Sequence, residues 1–309
     1  MQVTNTILMI RPVGFRMNEQ TAVNNYFQED IDIKNTEINE KAQAEFDAFV
    51  SELKNKGVHV IVVDDTKSPD TPDSIFPNNW ISFHENGTIG LYPMFAENRR
   101  NERREDIFQT LEENGFMIKD VVDYTAAEDE GYFLEGTGSI LLDRLNNKAY
   151  CALSDRADEE LFIEFCEDFD YFPVIFTANQ SVDDKRMPIY HTNVMMALGE
   201  TFSIICTDSI DNKKERKAVV DHLKNDGREV IRINEAQMHQ FAGNMLQVLG
   251  ADDKRYLVMS SSAFNSLNQG QITAIEKHCE IIHSSLETIE TCGGGSARCM
   301  MAEVFLPKK

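Results

Sequence analysis

The sequence predicts an α/β fold of repeated modules, and three observations carry that reading. Strand-sized β-branched runs alternate with helix-length amphipathic stretches, hairpin signals recur at Asn86-Gly87 and Asn146-Asn147, and the unit strand, hairpin, strand, helix, strand returns about every 50–60 residues. A length of 309 residues is enough to bury a large core. No Gly/Ser/Pro-rich linker interrupts the chain, so residues 1–309 are read as one domain. A doubly wound parallel sheet is the alternative. The recurrent hairpins count against it, as does the lack of a G-x-G-x-x-G turn.

In chain order, residues 6–10 form a short apolar strand ending at Arg11-Pro12. Phe46, Phe49, Val50 and Leu53 share one face of a helix over 41–55, which Gly57 stops. A β-branched strand follows at 58–63. The loop Ser68-Pro69-Asp70-Thr71-Pro72-Asp73 then leads to Ile75-Phe76-Pro77-Asn78-Asn79-Trp80 and a hairpin turning at 85–87, beside which His84 reads as solvated. An Arg/Glu-rich helix is expected over 99–114. Two further copies of the unit run through strands at 139–142, 148–153 and 171–176 with a helix at 157–168, and through strands at 194–198, 202–206 and 229–233 with a helix at 213–225. A weaker copy has strands at 246–249, 256–259 and 281–283 and a helix near 267–279. Residues 300–306 read as a last buried strand.

Composition excludes several function classes. The net charge of -22 repels phosphate backbones, so no nucleic-acid partner is expected. Apolar stretches are strand-sized, far short of the ~20 residues that cross a bilayer, and no signal-peptide pattern opens the chain, which predicts a cytoplasmic protein without a membrane partner. Six cysteines (151, 166, 206, 279, 292 and 299) include no C-x-x-C pair, which argues for free thiols and against a metal site.

Chemistry concentrates near the C-terminus, in Thr291-Cys292-Gly293-Gly294-Gly295-Ser296-Ala297-Arg298-Cys299-Met300. Three consecutive glycines suit a loop that needs positive φ or a close approach forbidding Cβ. A thiol held beyond such a loop is a candidate nucleophile, although a lone cysteine is also a common small core residue. A cysteine nucleophile needs an acid–base partner and a group to orient it. Of seven histidines, His191 stands apart, entering an apolar segment from a proline-bound loop with Asn193 two residues on; if that segment is a strand, both face one cavity. Leu134-Glu135-Gly136 places a carboxylate before glycines that admit a ligand, where an exposed turn is the other reading.

Taken together, Cys299, His191, Glu135, the 73–79 loop and the arginines near 100 and 156 resemble, in order and over nearly the whole chain, the guanidino-group-modifying enzymes, or penteins. The resemblance implies an α/β-propeller of five ββαβ-type modules with pseudo-fivefold symmetry. Arg11-Pro12, Pro77-Asn78-Asn79-Trp80 and the run 98–104 look most similar to amidinotransferase-like, citrulline-utilisation hydrolases. It further implies a covalent Cys299 intermediate, His191 as acid–base, and Glu135 holding His191 or a substrate N–H. Asp73 and Gly294 would line the substrate head, and Arg100 and Arg156 would clamp a carboxylate, with Arg99 competing with Arg100. No cofactor or metal is implied. The partner is a small arginine- or citrulline-like substrate, and a homo-oligomer stays open. Where dimethylarginine hydrolases carry two adjacent acids, this chain has Asn78 and Asn79, whose amides both donate and accept and so suit an uncharged ureido group. A citrulline ureidase is therefore favoured, with arginine deiminase or dihydrolase and methylarginine hydrolase close behind. An amidinotransferase and an inactive binding protein of the same fold are the alternatives.

Overall fold

The computed structural model describes residues Met1–Lys309. Its strands are β1 (Thr6–Arg11), β2 (His59–Asp64), β3 (Ile81–Phe83), β4 (Thr88–Leu91), β5 (Asp120–Asp123), β6 (Ile140–Asp143), β7 (Lys148–Ala152), β8 (Phe172–Phe176), β9 (Asn179–Val182), β10 (Lys185–Pro188), β11 (Met196–Leu198), β12 (Phe202–Ile205), β13 (Glu229–Arg232), β14 (Leu246–Leu249), β15 (Arg255–Ser260), β16 (Glu280–Ser284) and β17 (Ala302–Glu303). They assemble into five three-stranded sheets and the separate hairpin β9–β10. Every three-stranded sheet has one antiparallel and one parallel pairing, as in β3–β4–β5 and β6–β7–β8. The parallel partner always arrives after a helix or helical turn, because a parallel connection needs a crossover. In one sheet the first strand comes from the far end of the chain: β17 pairs with β1 through Ile7–Glu303 and Leu8–Ala302. The segment just before β17, which carries Cys299, is thereby fixed to the N-terminal strand.

The helix Asn35–Asn55 shows how the pattern becomes packing. Ile38, Ala42, Phe46, Phe49, Val50 and Leu53 are its buried stripe. Its chain exits at Gly57, where φ is +83° and an added Cβ would lie 2.5 Å from the Ala251 nitrogen. The stripe packs into a cluster of 25 buried residues that also holds Phe15, Phe76, Cys292 and Cys299. The candidate nucleophile therefore stands on a core, not on a surface loop.

Several expectations need correction. The helix foreseen over 99–114 is two pieces, a 3-10 helix Glu97–Glu102 and the helix Asp106–Glu113. Between them Arg103 is extended so that its guanidinium reaches Glu128. The terminal strand is only two residues long. The hairpin β9–β10 had no counterpart in the sequence reading. His84 is buried, stacked on Phe169 with ring centroids 4.0 Å apart, and burial pushes it well below its ordinary value.

Candidate active site

The glycine loop begins where the helix Glu287–Gly293 ends, at Gly294 in the left-handed conformation with φ +61°. A Cβ on Gly293 or Gly295 would meet the Phe76 ring at 2.8–2.9 Å, and one on Gly294 would meet Asn25 at 2.6 Å. The glycines thus let Phe76 and Asn25 lie directly on the loop. Beyond it, a turn closed by the Cys299 N–H on the Ser296 carbonyl at 3.0 Å presents the thiol, which is 3 % exposed.

The thiol borders a small chamber walled by Thr21, Asn25, Asp73, Phe76, Asn79, Arg99, Arg156, Tyr190, His191, Gly293, Gly294, Gly295 and Cys299. Of the residues expected at the site, Cys299, His191, Asp73, Asn79, Arg156 and Gly294 line it. Glu135 and Asn193 stand just behind, bonded to His191 and Cys299. Asn193 lies on a helical turn, Thr192–Met195, instead of the strand expected there, so it reaches Cys299 Sγ at 3.5 Å by helical geometry and not by strand alternation.

His191 Nε2 meets Glu135 Oε2 at 2.7 Å. Burial alone would raise Glu135, but Arg156, the His191 hydrogen bond and Arg99 outweigh it and hold the carboxyl at about 2. Burial pushes His191 down to about 4 against the pull of Glu135. At neutral pH the pair is therefore a carboxylate and a neutral imidazole. A carboxylate only accepts, so Nε2 carries the proton and Nδ1 keeps its lone pair. Nδ1 and the Asn79 amide nitrogen both crowd the space over Gly138, where a Cβ would lie 2.8 Å and 2.4 Å from them. Glycine at 138 keeps that space open.

Asp73 is fully buried, and burial raises it despite Arg99, Asn18, Arg156 and Thr21. Its Oδ2 accepts from Asn18 Nδ2 at 2.8 Å and Thr21 Oγ1 at 3.2 Å, while Oδ1 has no partner. Asn79 is the complement. Its Oδ1 accepts from Arg99 Nη1 at 2.8 Å, and its Nδ2 is unpartnered. A guanidinium can only donate, so Arg99 fixes which end of the amide is oxygen and leaves the N–H2 end unpaired, over Gly138 and near His191 Nδ1. The wall thus offers one unpaired acceptor and one unpaired donor.

The two arginine candidates separate. Arg99 is 2 % exposed and lines the chamber, but its guanidinium is committed to Glu102 at 2.8 and 2.9 Å, to Asn79 and to the Phe76 carbonyl. Arg100, expected to bind the carboxylate, is turned away by the 3-10 helix. It donates to the Met94 carbonyl at 3.1 Å and lies over Phe133, outside the chamber. Arg156 does line the chamber, and its fork is held by Asn24 Oδ1 and, at 3.0 Å, by the Thr21 carbonyl. Asn78 is also off the chamber. Its carbonyl accepts from Thr137 Oγ1 at 3.2 Å and sits 2.5 Å from where a Gly136 Cβ would be.

Sequence reasoning missed the segment from Asn18 to Gln28, from which Thr21 and Asn25 line the chamber and Asn24 holds Arg156. The only signal was an aperiodic run of amides where a helix or strand was absent. It also missed Asn244, whose Nδ2 donates to Cys299 Sγ at 3.2 Å.

A family profile described as N,N dimethylarginine dimethylhydrolase, eukaryotic, matches residues 11–306. No curated protein sequence matches. Among solved structures, the chain superposes on apo ArgZ, an arginine dihydrolase from the ornithine-ammonia cycle in cyanobacteria, with TM-score 0.73 at 17% identity. That match covers 98% of this chain but 41% of ArgZ, so the chain spans about two fifths of that protein's length. The N-terminal domain of ArgZ, solved as a cysteine-to-serine mutant bound to substrate, matches over 97% of this chain and 99% of its own, with TM-score 0.69 and 17% identity. A dimethylarginine dimethylaminohydrolase, solved as a histidine-to-glycine adduct with S-methyl-L-thiocitrulline, matches at TM-score 0.66 and 13% identity over 96% of this chain and 98% of its own.

Proposed function

The chain belongs to the N,N-dimethylarginine dimethylhydrolase family, and from that premise we propose that it is a cysteine hydrolase that breaks the guanidino or ureido C–N bond of an arginine- or citrulline-like amino acid. The observation that carries the ureido preference is the fixed Asn79 amide. Its unpaired Nδ2 is free to donate to a ureido oxygen, whereas a guanidinium has no acceptor to offer it. Asp73 Oδ1 takes an N–H of the same head group. In this reading the chain is one catalytic domain, its five like-paired sheets arranged about a pseudo-fivefold axis and closed by β17 on β1.

The chemistry follows from the protonation states. As substrate binds, the Cys299 proton passes to His191 Nδ1, and the imidazolium is stabilised by Glu135, whose carboxylate is already in hydrogen-bond contact. The thiolate forms a C–S bond at the planar carbon, and the terminal nitrogen takes the His191 proton and leaves as ammonia. Neutral His191 then draws a proton from water. The hydroxyl adds to the carbon, the C–S bond breaks, and the sulfur returns to the thiol. From a ureido head the product is an Nδ-carbamate, which loses carbon dioxide to leave an ornithine-like amine. From a guanidino head one cycle gives the ureido compound, and a second completes the sequence. Arg156 binds the substrate carboxylate once Asn24 withdraws.

In the present conformation the chamber has room for only about one water molecule. In this reading substrate enters as the Asn18-to-Gln28 segment, which supplies Thr21 and Asn25 to the lining and Asn24 to Arg156, moves aside. Incubation with arginine and with citrulline separately, with products identified by mass, tests the reading. Ornithine and ammonia from citrulline are expected; turnover that appears only when an amine acceptor is added would assign an amidinotransferase instead.

A further inference from the structure

Both hydrogen-bonded neighbours of the Cys299 sulfur are amides. Asn193 Nδ2 lies at 3.5 Å and Asn244 Nδ2 at the shorter 3.2 Å. Asn244 is 1 % exposed and precedes β14. Its Oδ1 accepts from the Arg298 N–H at 3.0 Å, and its Nδ2 also donates to the Asn193 carbonyl at 3.0 Å. The Arg298 N–H can only donate, so the amide cannot be flipped, and the N–H2 end must face the sulfur. One N–H is spent on Asn193, and the other points at Sγ.

The loop that carries Asn244 is held rigidly. Phe241 is in the left-handed region at φ +60°, and the Asn244 N–H donates to its carbonyl at 2.8 Å. A Cβ on Gly243 would sit 2.2 Å from the Val194 carbonyl oxygen, so the loop lies flat against the turn that bears Asn193. A single side chain thus ties together the backbone before the nucleophile, the turn after His191 and the sulfur. His191 is not among the hydrogen-bond partners of the sulfur. Among hydrogen-bond partners of the sulfur, the locked Asn244 amide is the shortest donor contact, so a thiolate formed in this buried site meets a fixed N–H there.

We propose that Asn244, supported by Asn193, stabilises the Cys299 thiolate and aims it at the substrate carbon. This rests on the reading of Cys299 as the nucleophile. Asn244→Asp is the informative variant, because it keeps the shape and the acceptor for Arg298 while replacing the donor at the sulfur with an oxygen.

Alkylation of Cys299 by iodoacetamide, followed by peptide mass mapping across pH, reads the sulfur without any need for turnover. The five other cysteines, all free and buried, serve as references in the same digest. In Asn244→Asp the Cys299 rate near pH 7 is expected to fall by at least ~10-fold, its profile to move to higher pH, and kcat to fall with KM little changed. Should that variant not melt cooperatively, Asn244→Ser, whose hydroxyl is too short to reach Sγ, is expected to give the same displacement. An unchanged alkylation profile in a folded variant overturns the role of Asn244 and leaves Cys299 as nucleophile. Full turnover by Cys299→Ser overturns both.

Discussion

Replacing Asn79 by aspartate isolates the group on which substrate choice depends. The side chain keeps its shape and still offers Arg99 an oxygen at the 2.8 Å contact. Only the unpaired end changes, from a donor to a charged acceptor. Against a ureido oxygen the lost hydrogen bond is replaced by two opposed acceptors, in a wall already holding Asp73 and with Glu135 just behind it on His191. Leaving a buried acceptor unmatched costs about 1–3 kcal/mol, and ~2 kcal/mol corresponds to roughly a 30-fold loss in kcat/KM. Against a guanidinium the new carboxylate adds an ion pair, so kcat/KM for arginine should be retained or rise. Ammonia release from citrulline and from arginine, with products weighed by mass spectrometry, measures both terms. The expected result is a shift in the citrulline-to-arginine ratio of ~30-fold or more, with citrulline accumulating from arginine. A ratio unchanged within error would refute the argument from the locked amide.

Asn24→Ala removes the group that occupies the Arg156 fork in the closed chamber; KM should fall several-fold with kcat little altered, and a raised KM would show that Asn24 helps to hold substrate. Glu135→Gln leaves a hydrogen-bond partner for His191 but no counter-charge for its imidazolium, so kcat should drop about 100-fold or more while Cys299 still alkylates. His84 is held well below 6.5 by burial, so between pH 6.5 and its folded value the unfolded chain binds a proton that the folded chain does not, and stability rises with pH there. The melting temperature of His84→Phe should accordingly be less sensitive to pH over that window than that of the unsubstituted protein. Asp143, at the end of β6, and Arg228, just before β13, pair with both side chains fully buried; Asp143→Asn strands a buried guanidinium and should cost ~3–5 kcal/mol in urea unfolding.

Much of this architecture was legible because it is periodic. The helix over 213–225 stands with the bounds expected; Val219, Val220 and Leu223 are its buried face and Asn212 caps its start. Strand 246–249, in the weaker copy of the repeat, also stands with the bounds expected. What failed was aperiodic or decided by distant partners. The break at Arg103 depends on Glu128, 25 residues away, and the two-residue last strand depends on β1 at the other end of the chain. In the site, residue types offered Cys299, His191 and Glu135 as candidates, with ordinary structural readings open beside Cys299 and Glu135, and their ordered resemblance to a known family singled them out. The choice between Arg99 and Arg100 turned on which side of a 3-10 helix faced inward, which adjacent residues cannot reveal. Asn24 and Asn244 were invisible for another reason: an asparagine in a loop has an ordinary turn role, and only tertiary contact separates the two.

The central claim is a covalent bond between Cys299 and the carbon of a ureido or guanidino head. Acid quenching during steady-state turnover of citrulline, with mass mapping of the peptide that contains Cys299, tests it most directly. The peptide should carry the mass of substrate less ammonia, on Cys299 alone, and Cys299→Ser should show neither adduct nor turnover. Sustained turnover with Cys299 unmodified at every quench time, and with Cys299→Ser active, would contradict it.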